Sequence, residues 1–244
     1  MKIPSTVSFS NAPLGLTLRE EPTKLSNVDM RVYWPQFKHS GKIRYDYTGK
    51  QPNTPPLSAE IFYDKEKDCM CFKEYDVING QDKWRDSWFY KWDDAFGGIA
   101  EWRDDYPIDP PSPIWGDTKI VVLDPPIGWG GSNEKVGSSY HNSPEMSFTQ
   151  SRPPAGSLGD QLVEYERIYD EYQNEHMAFA NVLRFRYYQK WKDAFGNWGN
   201  AGGAIYWFAA GKGPVTQQFL AVLEDGQTVY SDIYSATVRM IGWP

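Results

Sequence analysis

The stretch from Leu158 to Gly196, LGDQLVEYERIYDEYQNEHMAFANVLRFRYYQKWKDAFG, decides how the chain is read. Leu162, Tyr165, Tyr169, Tyr172, His176, Phe179, Leu183, Tyr187 and Trp191 recur every three or four residues, the spacing of one helical face. Ser157 and Asp160 suit a capped start and Gly196 a stop, so the pattern predicts a helix over about 158–193. Its second half, Leu183-Arg184-Phe185-Arg186-Tyr187, also alternates, and there a strand competes.

An earlier segment repeats the pattern. Trp84, Trp88, Trp92 and Phe96 step by four over 82–97, ahead of Gly97-Gly98, and predict a second aromatic-striped helix. Phe89–Gly97 and Tyr188–Gly196 share Lys, Trp, Asp, Ala, Phe and Gly in register. This suggests a weak internal duplication of 82–97 and 181–196. One reading makes Trp92, Asp94, Phe96, Trp191, Asp193 and Phe195 a binding site presented twice. Rings at helical spacing are more often core, so these residues are assigned to packing against a sheet.

Strands are expected on either side. Ala59–Tyr63 and Cys69–Val77 read as a hairpin, and Asn79-Gly80 as the turn after it. Lys119–Leu123 reads as a strand among prolines. Ala204–Phe208, Thr216–Leu223, Gln227–Ser231 and Ala236–Ile241 read as a C-terminal meander turning at Asp225-Gly226. The expected fold is α+β: an antiparallel sheet of that hairpin and meander, packed with one or two aromatic-striped helices and joined by long Pro-rich loops. Residues 1–57 carry Pro4, Pro13, Pro22, Pro35, Pro52, Pro55 and Pro56 and read as an extended arm, with Lys42–Thr48 as a short strand. Residues 58–244 form the single domain.

Composition narrows the function. With a net charge of −7 and no basic run, the chain lacks the field that nucleic acid or an anionic membrane requires. The apolar runs are too short to span a bilayer, and the N-terminus shows no signal peptide, so the expected setting is soluble, in a reducing compartment (cytoplasmic) or a virion. Cys69 and Cys71 share one strand face. With no second Cys pair and only the isolated His39, His141 and His176, they read as free thiols, and no metal or cofactor is expected.

No phosphate loop, Gly-x-Ser-x-Gly elbow or His-Glu-x-x-His occurs. Asp86, Asp93-Asp94, Glu101 and Asp104-Asp105 are carboxylates among aromatics, the ingredients of a glycosidase. On a helix they would be its solvated face. Trp115, Trp129 and Trp198 sit in Gly-containing loops and are candidates for stacking on sugars. The run from Tyr188 to Trp207, through Asp193-Ala194-Phe195, Trp198-Gly199 and Gly202-Gly203-Ala204, resembles a segment of the lipocalin domain of violaxanthin de-epoxidases. The lipocalin Gly-x-Trp opening and the Cys-rich region of those enzymes are absent from the chain.

The expected function is a non-catalytic assembly protein, such as a virion or phage particle component. It would bind neighbouring protein subunits, or itself, through aromatic-rich surfaces and the arm. The alternatives are a carbohydrate-binding protein using loop Trp residues, and an enzyme with a lipocalin-like or glycosidase-type pocket.

Overall fold

The computed structural model describes residues 27–37, 41–50, 56–112, 116–148, 157–192, 195–199, 202–222 and 228–241. Its main strands are β1 (Lys42–Gly49), β2 (Leu57–Asp64), β3 (Cys69–Ile78), β4 (Gln81–Asp93), β5 (Gly98–Ser112), β6 (Gly116–Gly130), β7 (Glu145–Phe148), β8 (Ser157–Gln173), β9 (Ala178–Trp191), β10 (Gly202–Ala209), β11 (Gly213–Val222) and β12 (Thr228–Ile241). They pair antiparallel in the order β7-β6-β5-β4-β3-β2-β1-β12-β11-β10-β9-β8. Short β7 also pairs with β8, through Glu145↔Leu158 and Met146↔Ser157, and so closes the sheet into a twelve-strand barrel. Among the described residues the only helix is a single turn, α1 (Met30–Tyr33).

The α+β expectation is therefore corrected to an all-β barrel. Both aromatic-striped helices are strands: β4 lies where a helix was expected over 82–97, and the β8–β9 hairpin occupies 158–193. A step of four residues keeps one face in a strand as well as in a helix, because four is a multiple of the strand period of two. Trp88 and Trp92 therefore fit either structure, whereas a bulge at Arg85 turns Trp84 outward, where its indole donates to Ser87; the alternating residues decide. Asp86, Trp88 and Tyr90 lie on the inner face of β4, with Ser87 and Phe89 behind them. In β8 the bulge at Tyr165/Arg167, which inserts Glu166, falls inside the step of four from Tyr165 to Tyr169, whereas the step of three from Leu162 to Tyr165 joins residues on opposite strand faces.

A round twelve-strand barrel is wide enough to leave a lumen. Here aromatic side chains fill it, with Tyr45, Tyr90, Tyr165 and Phe185 essentially inaccessible. The segment Asn27–Phe37 crosses the end that holds the β2–β3, β4–β5, β8–β9 and β10–β11 turns, termed the upper end. Met30 N–H donates to Gly131 O and Gly211 N–H to Val32 O, while the Tyr33 hydroxyl bonds Asn181. Trp34 reaches inward against Tyr90, Trp129 and Phe208, at ring separations of 4.7–5.2 Å. Part of the segment read as an extended arm thus plugs the barrel, and β1 is one of its staves. Residues 1–26 lie outside the described residues.

The outer face carries charged pairs, including Lys42–Glu60, Arg44–Asp82, Arg103–Asp105 and Arg184–Glu166. Charges outward and rings inward invert the pattern of a transmembrane barrel. No helix among the described residues is long and apolar enough to cross a membrane.

Candidate functional site: a carboxyl layer inside the barrel

Strand alternation turns four carboxyl groups inward at mid-height of the barrel, between Trp34 of the plug and the lower end, the end where β3 runs into β4, β5 into β6 and β9 into β10. On β3, Met70, Phe72 and Glu74 face in, while Cys69 and Cys71 pack outside with Phe89. Glu74 stands opposite Asp86 on β4. On β5, Glu101 and Asp104 both face in, because a bulge between Glu101 and Arg103 restores the inward direction. Their exposures are 5 % for Glu74, 9 % for Asp86, 4 % for Glu101 and 7 % for Asp104. The layer is thus nearly closed off from solvent, next to the fully buried Tyr90.

The four groups form two acid pairs. Burial pushes the Glu74 carboxyl up to about 8, the negative charge of Asp86 adds to the shift, and Glu74 donates its proton to Asp86. Burial likewise holds Glu101 well above the usual carboxylate range, with Asp104 as its acceptor. Asp86 and Asp104 are raised to about 6 and about 7, again by desolvation first. Each pair titrates as a unit that keeps a proton near neutrality. Trp129 donates from Nε1 to Glu101 Oε2 at 2.9 Å, and the Tyr106 hydroxyl to Asp104 Oδ2 at 3.2 Å.

Phenols face the pairs from the opposite wall. The Tyr187 ring of β9 lies parallel to that of Tyr206 on β10, with centroids 5.7 Å apart and planes 6° from parallel. Burial raises both phenols, and the charges of Glu74 and Glu101 raise them further, so both stay protonated. Gln217 on β11 is opposite Tyr206 and fully buried. The Tyr206 hydroxyl, both amide atoms of Gln217, Asp86 Oδ1 and Asp104 Oδ1 are buried without a hydrogen-bond partner. Each such atom forfeits about 1–3 kcal/mol relative to water.

The interior beyond this layer is closely packed. A void of about 10 Å³ between Trp34, Phe72, Trp88, Tyr206, Phe208 and Pro214 has room for a single water. Among the described residues no group of His, Cys, Asp and Glu is arranged to hold a metal ion.

The residues singled out by sequence are dispersed. Trp129 is an interior residue of the carboxyl layer, 3 % exposed. Trp198 is half exposed after β9, with Lys190 and Lys192 over its ring at 4.8 and 5.2 Å. Trp115 and Asp193 lie outside the described residues. Trp92 donates to Asp94 Oδ1 at 2.7 Å and carries Arg31 over its ring, and Phe96 packs on Tyr140. Trp191 is half-buried beneath Gly159, whereas Phe195 is 89 % exposed. The repeated segments end strands at opposite ends of the barrel, and both turn through a glycine in the left-handed region, Gly97 and Gly196.

Of the carboxylates weighed as a glycosidase pair, Asp86, Glu101 and Asp104 converge inside. Asp93 caps its turn through the Ala95 and Phe96 amides, and Asp105 pairs with Arg103 outside. Sequence reasoning passed over Glu74, Tyr187 and Tyr206 as site residues. The usable signal was alternation: Met70, Phe72 and Glu74 share a strand face. No protein-family model, curated protein or solved structure matches the chain.

Proposed function

We propose that the protein is a small-molecule-binding barrel whose ligand is engaged, with acid–base assistance, at the carboxyl layer below the plug. The observation that carries this reading is the set of two proton-sharing carboxyl pairs, bordered by buried polar atoms without partners. A barrel serving only as scaffold gains nothing from these groups, since apolar side chains of similar volume are neutral or stabilising in such positions. Carboxyl groups tuned toward neutrality beside hydroxyl donors are what general acid–base chemistry and polar ligand recognition use. The plug at the other end leaves the lower end as the side of entry.

The test is a thermal-shift screen of small polar and amphiphilic compounds on wild type and on Glu101→Gln/Asp104→Asn. A ligand is expected to raise the Tm of wild type and lose most of that effect in the double variant. Hits that stabilise both proteins equally would place binding elsewhere and defeat the proposal.

The assembly role keeps an observation of its own. Ile78, Leu158, Phe195, Trp198, Val229 and Tyr230 are large exposed apolar residues on segments that end at the lower rim. Such a rim suits contact with a neighbouring subunit. The native mass of the chain, alone and in its source extract, tests it: a free monomer in both would remove this second reading.

A further inference from the structure

We infer that the ligand of the carboxyl layer is an uncharged molecule with a carbonyl acceptor on an apolar body; this rests on the binding reading above. The polar groups of the layer come from eight of the twelve strands. They are Tyr47 from β1, Glu74 from β3, Asp86 from β4, Glu101, Asp104 and Tyr106 from β5, Trp129 from β6, Tyr187 and Tyr206 from β9 and β10, and Gln217 from β11. Tyr47 is occupied, donating to Pro214 O at 3.1 Å, and Trp129 is spent on Glu101. The nearest charged groups on the layer's edge, Arg85 and Asp76, approach each other at 3.8 Å and are both exposed.

Three ligand classes can be compared on this inventory. An anion would meet phenols and carboxyl groups with no lysine, arginine or histidine among them, and would be repelled by any carboxyl that ionised. A cation would require both pairs to ionise where burial penalises charge, besides losing its own hydration. A neutral acceptor meets donors as they stand: the Gln217 amide, whose Nε2 has no partner, beside the protonated Tyr206 and Tyr187 phenols. A carboxyl group kept neutral can donate to a carbonyl in the same way. This acid cluster is therefore marked as a site by buried polar atoms aimed into it without partners, and not by its acidity alone.

Packing fixes the rest of the ligand. Only a void of about 10 Å³ borders Tyr206, so the interior has no room for a bulky body. The body is left at the lower rim, where Ile78 and Val229 expose apolar surface. A ring or short chain bearing one ketone or amide meets both conditions.

Three probes of equal size separate the classes: cyclohexanone, cyclohexylamine and cyclohexanecarboxylate. Each is titrated into wild type at about pH 6 and about pH 9, spanning the range over which the pairs ionise, with binding followed by indole fluorescence and by calorimetry. Cyclohexanone is expected to bind at least tenfold more tightly than the other two at the lower pH, and to weaken at least tenfold at the higher. In Glu101→Gln/Asp104→Asn that pH dependence is expected to flatten. Tighter binding of the amine or the carboxylate would overturn the ligand class and leave the binding barrel standing. If none of the three binds at millimolar concentration and no compound of the screen shifts the Tm, both proposals fall.

Discussion

Glu101 shows how one residue couples fold to chemistry. Its carboxyl is buried, accepts from the Trp129 indole and shares a proton with Asp104. A carboxyl whose pKa is raised on folding holds a proton that the unfolded chain releases. The stabilisation these groups contribute is fully present below about pH 4 and is lost as pH rises through the folded values, about 6 for Asp86, about 7 for Asp104 and about 8 for Glu74. Unfolding free energy is expected to drop by roughly 2–5 kcal/mol between pH 5 and pH 8, as read from urea titrations. Glu101→Gln keeps an oxygen for Trp129 and removes one titration. It is expected to flatten that slope and to stabilise the protein at pH 8 by about 1–2 kcal/mol. A flat profile over this range would mean that the pairs are ionised in the folded protein.

At the scale of elements, the β8–β9 hairpin is longer than the barrel wall needs, and its tip is pinned by polar contacts. Asn174 is 5 % exposed and donates from Nδ2 to Val215 O and to Ala236 O, both at 2.9 Å. Its Oδ1 accepts from the His176 and Met177 amides. Asn174→Ala removes the amide partner of the Ala236 carbonyl and the acceptor of two backbone amides, while Val215 O keeps the Thr216 hydroxyl, and is expected to cost about 2–4 kcal/mol in urea titrations. Hydrogen exchange should locate the loss at 172–179. Uniform loss of protection across the barrel would contradict a local role for the tip.

The same hairpin shows why legibility was uneven. The β2–β3 pair and the Asn79-Gly80 turn were readable because alternation and turn residues agree there; Asn79 and Gly80 both take the positive φ that turn demands. In β8 and β4, spacings of three and four imitate helical periodicity: a step of four keeps a strand face, and a step of three, such as Leu162 to Tyr165, mixes residues of both faces. Three of the four carboxyl groups could be noticed in the sequence, but their inward direction could not be known once β4 was read as a helix. Convergence of β3, β5, β9 and β10 on one layer depends on closure of the sheet, and no local pattern encodes it.

For the whole molecule, the aromatic excess has a geometric cause: twelve strands enclose more space than aliphatic side chains fill, and rings with an inserted segment occupy it. Trp34 is the inserted ring, 2 % exposed, in contact with Tyr90, Trp129 and Phe208 and bordering the small void. Trp34→Ala removes a side chain that the surrounding sheet cannot close over, because hydrogen-bonded strands hold its neighbours in place. The loss is expected to be about 3–5 kcal/mol, within the total stability of a domain, so a weakened but folded barrel should persist. The space left would be apolar and shaped for an indole. Added indole should therefore restore part of the lost Tm in a saturable way, while leaving wild type unchanged. Trp198→Ala is the control: its half-exposed ring lies under lysines at the lower end, and removing it should change stability by no more than about 0.5 kcal/mol, with no rescue by indole. Equal costs at the two tryptophans, or a Trp34 variant indifferent to indole, would mean that the segment Asn27–Phe37 does not fill the barrel in solution.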